Sequence, residues 1–189
     1  MGATIIANGR AVTADRVQEV LGRHLLLDGM PLVLDLVRSR GTTLVDEASG
    51  TEFCDMFTFF ASNALGMNHP GLVDDEEFKA ELLEAAFNDP GTSDIYTVAM
   101  ARFVDAFARV MGADEMPHYF FIEGGALAVE NTLKTAFDWK SRLNESQGRS
   151  PELGTRIMHL TDAFHGRSGY TMSLTNSDPN KTARFPKFD

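Results

Sequence analysis

Two periods of hydrophobic and polar positions run along this chain, and the points where one gives way to the other predict its elements. Thr13 is placed to cap a helix in which Val17, Val20, Leu21 and His24 recur at three- and four-residue spacing. Leu32–Arg38, Thr43–Asp46 and Phe53–Phe57 are short apolar or β-branched runs, separated by Ser39-Arg40-Gly41 and by Gly50-Thr51, and read as small antiparallel strands. Asn68-His69-Pro70-Gly71 is turn chemistry. Asp74, Asp75, Glu76 and Glu77 then place negative charge where a helix start is positive, and Phe78, Leu82 and Ala86 share a face. Asp89-Pro90-Gly91 ends that helix. Ser93 is placed to cap another, whose face of Val98, Arg102, Phe103, Phe107 and Val110 runs to Gly112.

The pattern then tightens. His118-Tyr119-Phe120-Phe121-Ile122 lies between Pro117 and Gly124-Gly125, which predicts a buried strand. From Ala126 to about Arg142, Val129, Leu133, Ala136, Phe137 and Lys140 recur helically. Asn144–Pro151 reads as a loop and Arg156–Leu160 as the next strand. Strand, glycine turn, helix and strand in this order predict a right-handed βαβ unit with parallel strands, hence an α/β fold. The division expected is a small N-terminal segment over residues 1–70 and the first part of an α/β domain over 71–189. The tail from Asn176 to Asp189 has no periodic face and looks cut off.

Composition narrows the function classes. The 189 residues are 43% hydrophobic and 23% charged, as in a globular chain. Setting 17 Lys+Arg against 27 Asp+Glu leaves a net charge of −10, which repels phosphate backbones and anionic lipid surfaces, so neither nucleic acid nor membrane is expected as a partner. No apolar run reaches the roughly 20 residues that span a bilayer. Met1–Asn8 lacks the layout of a secretory signal, and the single cysteine, Cys54, forms no internal disulfide, so a cytoplasmic setting is expected.

The candidate chemistry sits in two places. At Ile122-Glu123-Gly124-Gly125-Ala126 a strand turns into a helix through two glycines, where amide groups and the helix dipole suit a phosphate. The same turn also serves close packing alone. Ala163-Phe164-His165-Gly166-Arg167-Ser168-Gly169 follows the next strand, at the strand end where ligands collect in open α/β sheets. Phe164 suits stacking on a planar ring and Arg167 suits a two-pronged grip on a carboxylate, although a core aromatic and a surface ion pair are the plainer readings. The five histidines have no metal-site spacing, so no metal is expected.

These blocks resemble the fold-type I, class III aminotransferases that use pyridoxal 5′-phosphate (PLP). The likeness is carried by Leu44-Val45-Asp46, Asp55–Ser62, Leu65–Pro70, Glu123–Asn131 and Ala163–Tyr170, and it runs through nearly the whole chain. It implies that the chain corresponds to the N-terminal segment and the first, incomplete part of the PLP domain. It further implies cofactor binding by Gly125, Ala126, Phe164 and His165, and substrate binding by Arg167 and, from a segment near a dimer interface, Phe60. Most members carry a hydroxyl and an acidic residue where this chain has Ala126-Leu127, so phosphate binding would lean on backbone amides. The members specific for lysine look similar in this departure.

The resemblance implies transfer of the ε-amino group of L-lysine to 2-oxoglutarate, giving 2-aminoadipate 6-semialdehyde and glutamate, by a homodimeric enzyme. The family's Schiff-base lysine and the aspartate facing the pyridine nitrogen lie downstream of the Phe164–Gly169 block. No catalytic residue is therefore expected within this chain, and the isolated polypeptide is expected to be inactive. Two alternatives stay open: an ornithine- or 4-aminobutyrate-type aminotransferase, and a non-catalytic α/β module that binds phosphate or another chain.

Overall fold

The computed structural model describes residues 12–188. The reading of Met1–Asn8 lies outside them. The chain divides into two compact units, one through Ala106 and one from Phe107.

In the first unit a 3-10 turn, Ala14–Arg16, leads into α1, Val17–Gly22, as its apolar spacing predicts. Strands β1, Thr43–Val45, and β2, Glu52–Cys54, pair antiparallel with Leu44 opposite Phe53. Leu44 and Val45 are buried there. The flanking strand expectations are corrected by side-chain competition for backbone amides. Leu32–Arg38 makes only a bridge, Leu34 to Asp46, because the Asp35 carboxylate accepts the amides of Val37 at 2.9 Å and Arg38 at 2.8 Å and bends the chain into a turn. Phe53–Phe57 leaves the ladder after Cys54, where Asp55 accepts the amides of Phe57 and Thr58 in the same way, at 2.9 and 2.7 Å.

Helix α2, Pro70–Val73, starts at a proline, and α3, Glu76–Phe87, starts with the Asp75 carboxylate accepting the Phe78 amide at 2.9 Å. Helix α4, Val98–Met111, is the predicted one with a different start: Thr97, not Ser93, accepts the Met100 amide at 3.1 Å.

In the second unit Tyr119 and Phe121 place their rings 5.3 and 5.1 Å from that of Phe107. The expected buried strands at His118–Ile122 and Arg156–Leu160 are corrected: neither segment forms a ladder among the described residues. Phe120 is 71% exposed and Met158 99%. A strand's amides and carbonyls need a neighbouring strand, and these segments meet none here, so the parallel βαβ pairing is absent as well. Helix α5, Gly125–Ser146, outruns its predicted end. Asn144 is buried within it and donates to the Leu153 carbonyl at 2.8 Å, so the expected loop begins in helix. Helices α6, Gly169–Leu174, and α7, Pro179–Thr182, complete the unit. The tail, though without a periodic face, packs at its end: the Phe188 ring lies 5.3 Å from Tyr170, which itself meets Phe137 of α5 at 5.6 Å.

Candidate functional site

The site of interest is built on the first two turns of α5. Gly124 enters the helix at φ 82°, a left-handed conformation that a residue without a Cβ adopts freely, and its carbonyl accepts the Ala128 amide at 3.1 Å. The amides that open a helix have no partner within it. A Cβ built on either Gly124 or Gly125 meets nothing within 4 Å, so the bend is open rather than filled by neighbouring side chains. An anion fits such a place, held by amide hydrogens and the positive helix end.

The Phe164–Gly169 loop lies directly against this helix start. Gly166 has φ 119°, and a Cβ there would sit 2.6 Å from the Ala126 Cβ and 2.9 Å from the Thr171 Oγ1, so only glycine permits the approach. The loop is held from below by Thr175, which is fully buried: its hydroxyl donates to the Gly166 carbonyl at 2.6 Å and accepts the His165 amide at 2.9 Å. The two sequence blocks picked out for chemistry, Gly124–Ala126 and Phe164–Gly169, thus meet at Ala126 and Gly166.

Around this contact, Phe164 is 63% exposed, so it is not the core aromatic of the plainer reading. Arg167 is exposed, and among the described residues its guanidinium is engaged by no hydrogen bond or ion pair, so the surface ion pair is not formed either. The His165 ring stands 6.0 Å from that of His159, edge to face, and its Nε2 is buried without a partner. Phe60 belongs to the first unit, where its ring packs edge-on 4.7 Å from Phe57. It sits within Thr58–Ala61, four successive residues with φ between 49° and 64°, a conformation that disfavours any side chain.

Sequence reasoning passed over Glu130. It lies on α5 one turn beyond Ala126, is 9% exposed, and accepts the Ser168 hydroxyl at 2.8 Å and the amides of Tyr170 at 3.3 Å and Thr171 at 3.4 Å. Burial pushes its carboxyl up, but the Ser168 hydroxyl, the two amides and the nearby Lys134 charge outweigh that and hold it below the ordinary carboxylate value. The signal was available: Glu130, Leu133 and Phe137 recur at the spacing of the buried face, where an acid needs partners.

The lysines of the described residues are largely committed elsewhere. Lys79 pairs with Glu76, Lys187 donates to the Thr175 carbonyl and to Asn176, and the Lys140 stem packs against Gly154. Among the described residues no cluster of His, Cys, Asp or Glu is arranged for a metal, Cys54 is free, and no helix is long and apolar enough to cross a membrane. A groove of about 500 Å³ in the first unit is lined mainly by apolar residues such as Leu32, Phe53 and Phe57. Its two acids, Asp46 and Asp55, already hold turns, and the free Cys54 also lines it.

Comparison with known proteins shows the family. The model of the family described as aminotransferase class-III matches residues 28–188. The chain is 65% identical over 181 residues to the L-lysine-epsilon aminotransferase of Mycobacterium bovis, covering 96% of this chain and 40% of that protein. It is 55% identical over 173 residues to that of Amycolatopsis lactamdurans, covering 92% and 38%. A solved lysine aminotransferase from M. tuberculosis, in the internal aldimine form, superposes with a TM-score of 0.90 at 65% identity, covering 94% of this chain and 41% of the other. The chain thus spans about 40% of the length of the curated relatives it matches. The chain is a partial fold-type I segment of mixed helix and strand, in line with the α/β expectation. A bend open to an anion, a glycine-mediated loop contact and a family match over most of the chain converge: this chain belongs to the class-III aminotransferases.

Proposed function

We propose that this chain supplies the phosphate cradle, the ring-stacking aromatic and the substrate arginine of a PLP-dependent L-lysine ε-aminotransferase. The observation that supports the reading is the contact of Gly166 with Ala126, which brings the loop containing Phe164 and Arg167 to the start of α5. PLP, when bound, supplies the electron sink for amino-group transfer. The residues present fit it: a Cβ-free bend for the phosphate, an exposed aromatic for the ring and a buried, unpartnered imidazole nitrogen nearby.

The chain's own groups then have separable tasks. The amides of Gly125 and Ala126 hold the phosphate without help from a hydroxyl, since Ala126 has none. Phe164 stacks on the ring, and His165 is held beside it by the bond from its amide to Thr175. Arg167, free of internal partners among the described residues, takes the α-carboxylate of L-lysine, so that the ε-amino end reaches the reacting centre. Phe60 is proposed to line the substrate channel. In this reading 2-oxoglutarate is the acceptor, the working form is a homodimer, the enzyme is cytoplasmic, and none of the chain's own residues is the Schiff-base lysine. The small N-terminal segment is taken to cover residues 1–70 and the PLP-domain portion residues 71–189.

Support comes also from the relatives, both of them lysine-ε aminotransferases by name. The test is glutamate formation from L-lysine and 2-oxoglutarate by the PLP-loaded enzyme. Transfer from ornithine or 4-aminobutyrate alone would remove the lysine assignment.

A further inference from the structure

The loop that carries Arg167 is fastened to α5 on both sides of that residue. On one side, Gly166 rests on Ala126 in the first helical turn. On the other, the Ser168 hydroxyl donates to Glu130, and the same carboxylate gathers the amides of Tyr170 and Thr171. Ala126 and Glu130 are four residues apart, about 6 Å along the helix. The backbone of Arg167 is therefore bracketed over the first turn of α5, whose open end is the proposed phosphate cradle. One helix sets both positions.

Glu130 is well suited to be the outer fastening. As an ionised acceptor it takes three donors at once, which no neutral side chain of its size does. It is buried and reaches 38 to 41 residues along the chain, so its partners are fixed by tertiary structure rather than by a local turn. Among the described residues, the hydrogen bonds of its side chain go to the loop rather than to the open bend.

We infer that Glu130 is a positioning residue for substrate selection: by holding Ser168, Tyr170 and Thr171, it fixes the loop that carries Arg167 relative to the Gly124–Ala126 bend, and with it the recognition of the substrate's α-carboxylate. The inference rests on the proposed role of Arg167. It separates cofactor binding, made by the bend, from carboxylate recognition, made by the loop.

The test uses the active, PLP-loaded enzyme with two amino donors, L-lysine and pentane-1,5-diamine, which differ by the α-carboxylate. Glu130→Gln keeps the shape and removes the charge. The preference for lysine over the diamine in kcat/KM is expected to fall roughly tenfold, the size of one lost charged hydrogen bond, with PLP affinity retained. In the apoprotein, hydrogen exchange at the Tyr170 and Thr171 amides is expected to quicken. Should Glu130→Gln fail to fold, Ser168→Ala removes the 2.8 Å bond from the loop side and is expected to lower the same preference by a smaller factor. Equal losses for both donors, or an unchanged preference, overturns the positioning role. Arg167→Ala is the control: if it leaves the preference intact, the carboxylate reading of Arg167 falls and the Glu130 inference falls with it. If it abolishes the preference while Glu130→Gln leaves it unchanged, only the Glu130 inference falls.

Discussion

Buried carboxylates shape both units, but they act over different distances. In the first unit Asp35 and Asp55 accept amides two and three residues ahead, and each bends only its own segment. In the second, Glu130 gathers donors from 38 to 41 residues away and joins a loop to a helix. A short-range carboxylate makes a turn that survives whatever surrounds it. A long-range one makes a geometry that exists only when two elements have docked, and this is where substrate-recognising residues can be held at a set spacing.

The largest effect expected is from Gly166→Ala, which tests the docking itself. Its Cβ would sit 2.6 Å from the Ala126 Cβ in a left-handed backbone, so a loss of about 3 kcal/mol in unfolding free energy is expected, together with weakened PLP binding. Unchanged stability and PLP affinity would break the idea that the two blocks meet. Arg167→Ala is expected to weaken lysine use by about 2–3 kcal/mol in kcat/KM without altering thermal stability. Steady-state kinetics beside a melting curve check it. Glu130→Ala strands several donors and is expected to lower unfolding free energy by about 2 kcal/mol, read by denaturant titration. Asp55→Ala is expected to cost about 1 kcal/mol, with hydrogen exchange altered only near Phe57 and Thr58. An effect of Asp55→Ala on the exchange of Tyr170 or Thr171 would break the contrast between local and long-range carboxylates.

Acid and salt sharpen the contrast with the smallest effects. Both Asp35 and Glu130 have carboxyls held below their ordinary values: Asp35 first by the Arg38 side chain, Glu130 by the Ser168 hydroxyl and two amides against the opposing effect of burial. A lowered folded-state pKa means stability that is present above the unfolded-state value, near 4.3 for Glu, and lost as pH falls through the folded one. Melting followed from pH 6 downward is expected to show this loss, and Glu130→Gln is expected to flatten it. Added salt is expected to weaken the Arg38–Asp35 pair, whose guanidinium side is exposed, more than the Glu130 contacts.

Local rules sufficed where neighbouring residues settle the structure. The helical spacing of Val98–Val110 and of Val129–Lys140, the β1–β2 hairpin, the acidic start of α3 and the glycine bend before α5 all depend on residues within a few positions of one another, and each was legible in the amino-acid order. The Thr97 cap was not, because Ser93 and Thr97 offer the same hydroxyl chemistry and only the backbone path chooses between them. His118–Ile122 and Arg156–Leu160 carry strand-like patterns, but a ladder is a property of two segments, and period alone supplies no partner. Glu130 reads in sequence as an acid on an apolar stripe. Its meaning, and the meeting of Gly166 with Ala126, arose only when α5 and the loop packed together, since contacts between residues about 40 positions apart are decided by chain topology and close packing rather than by local preference.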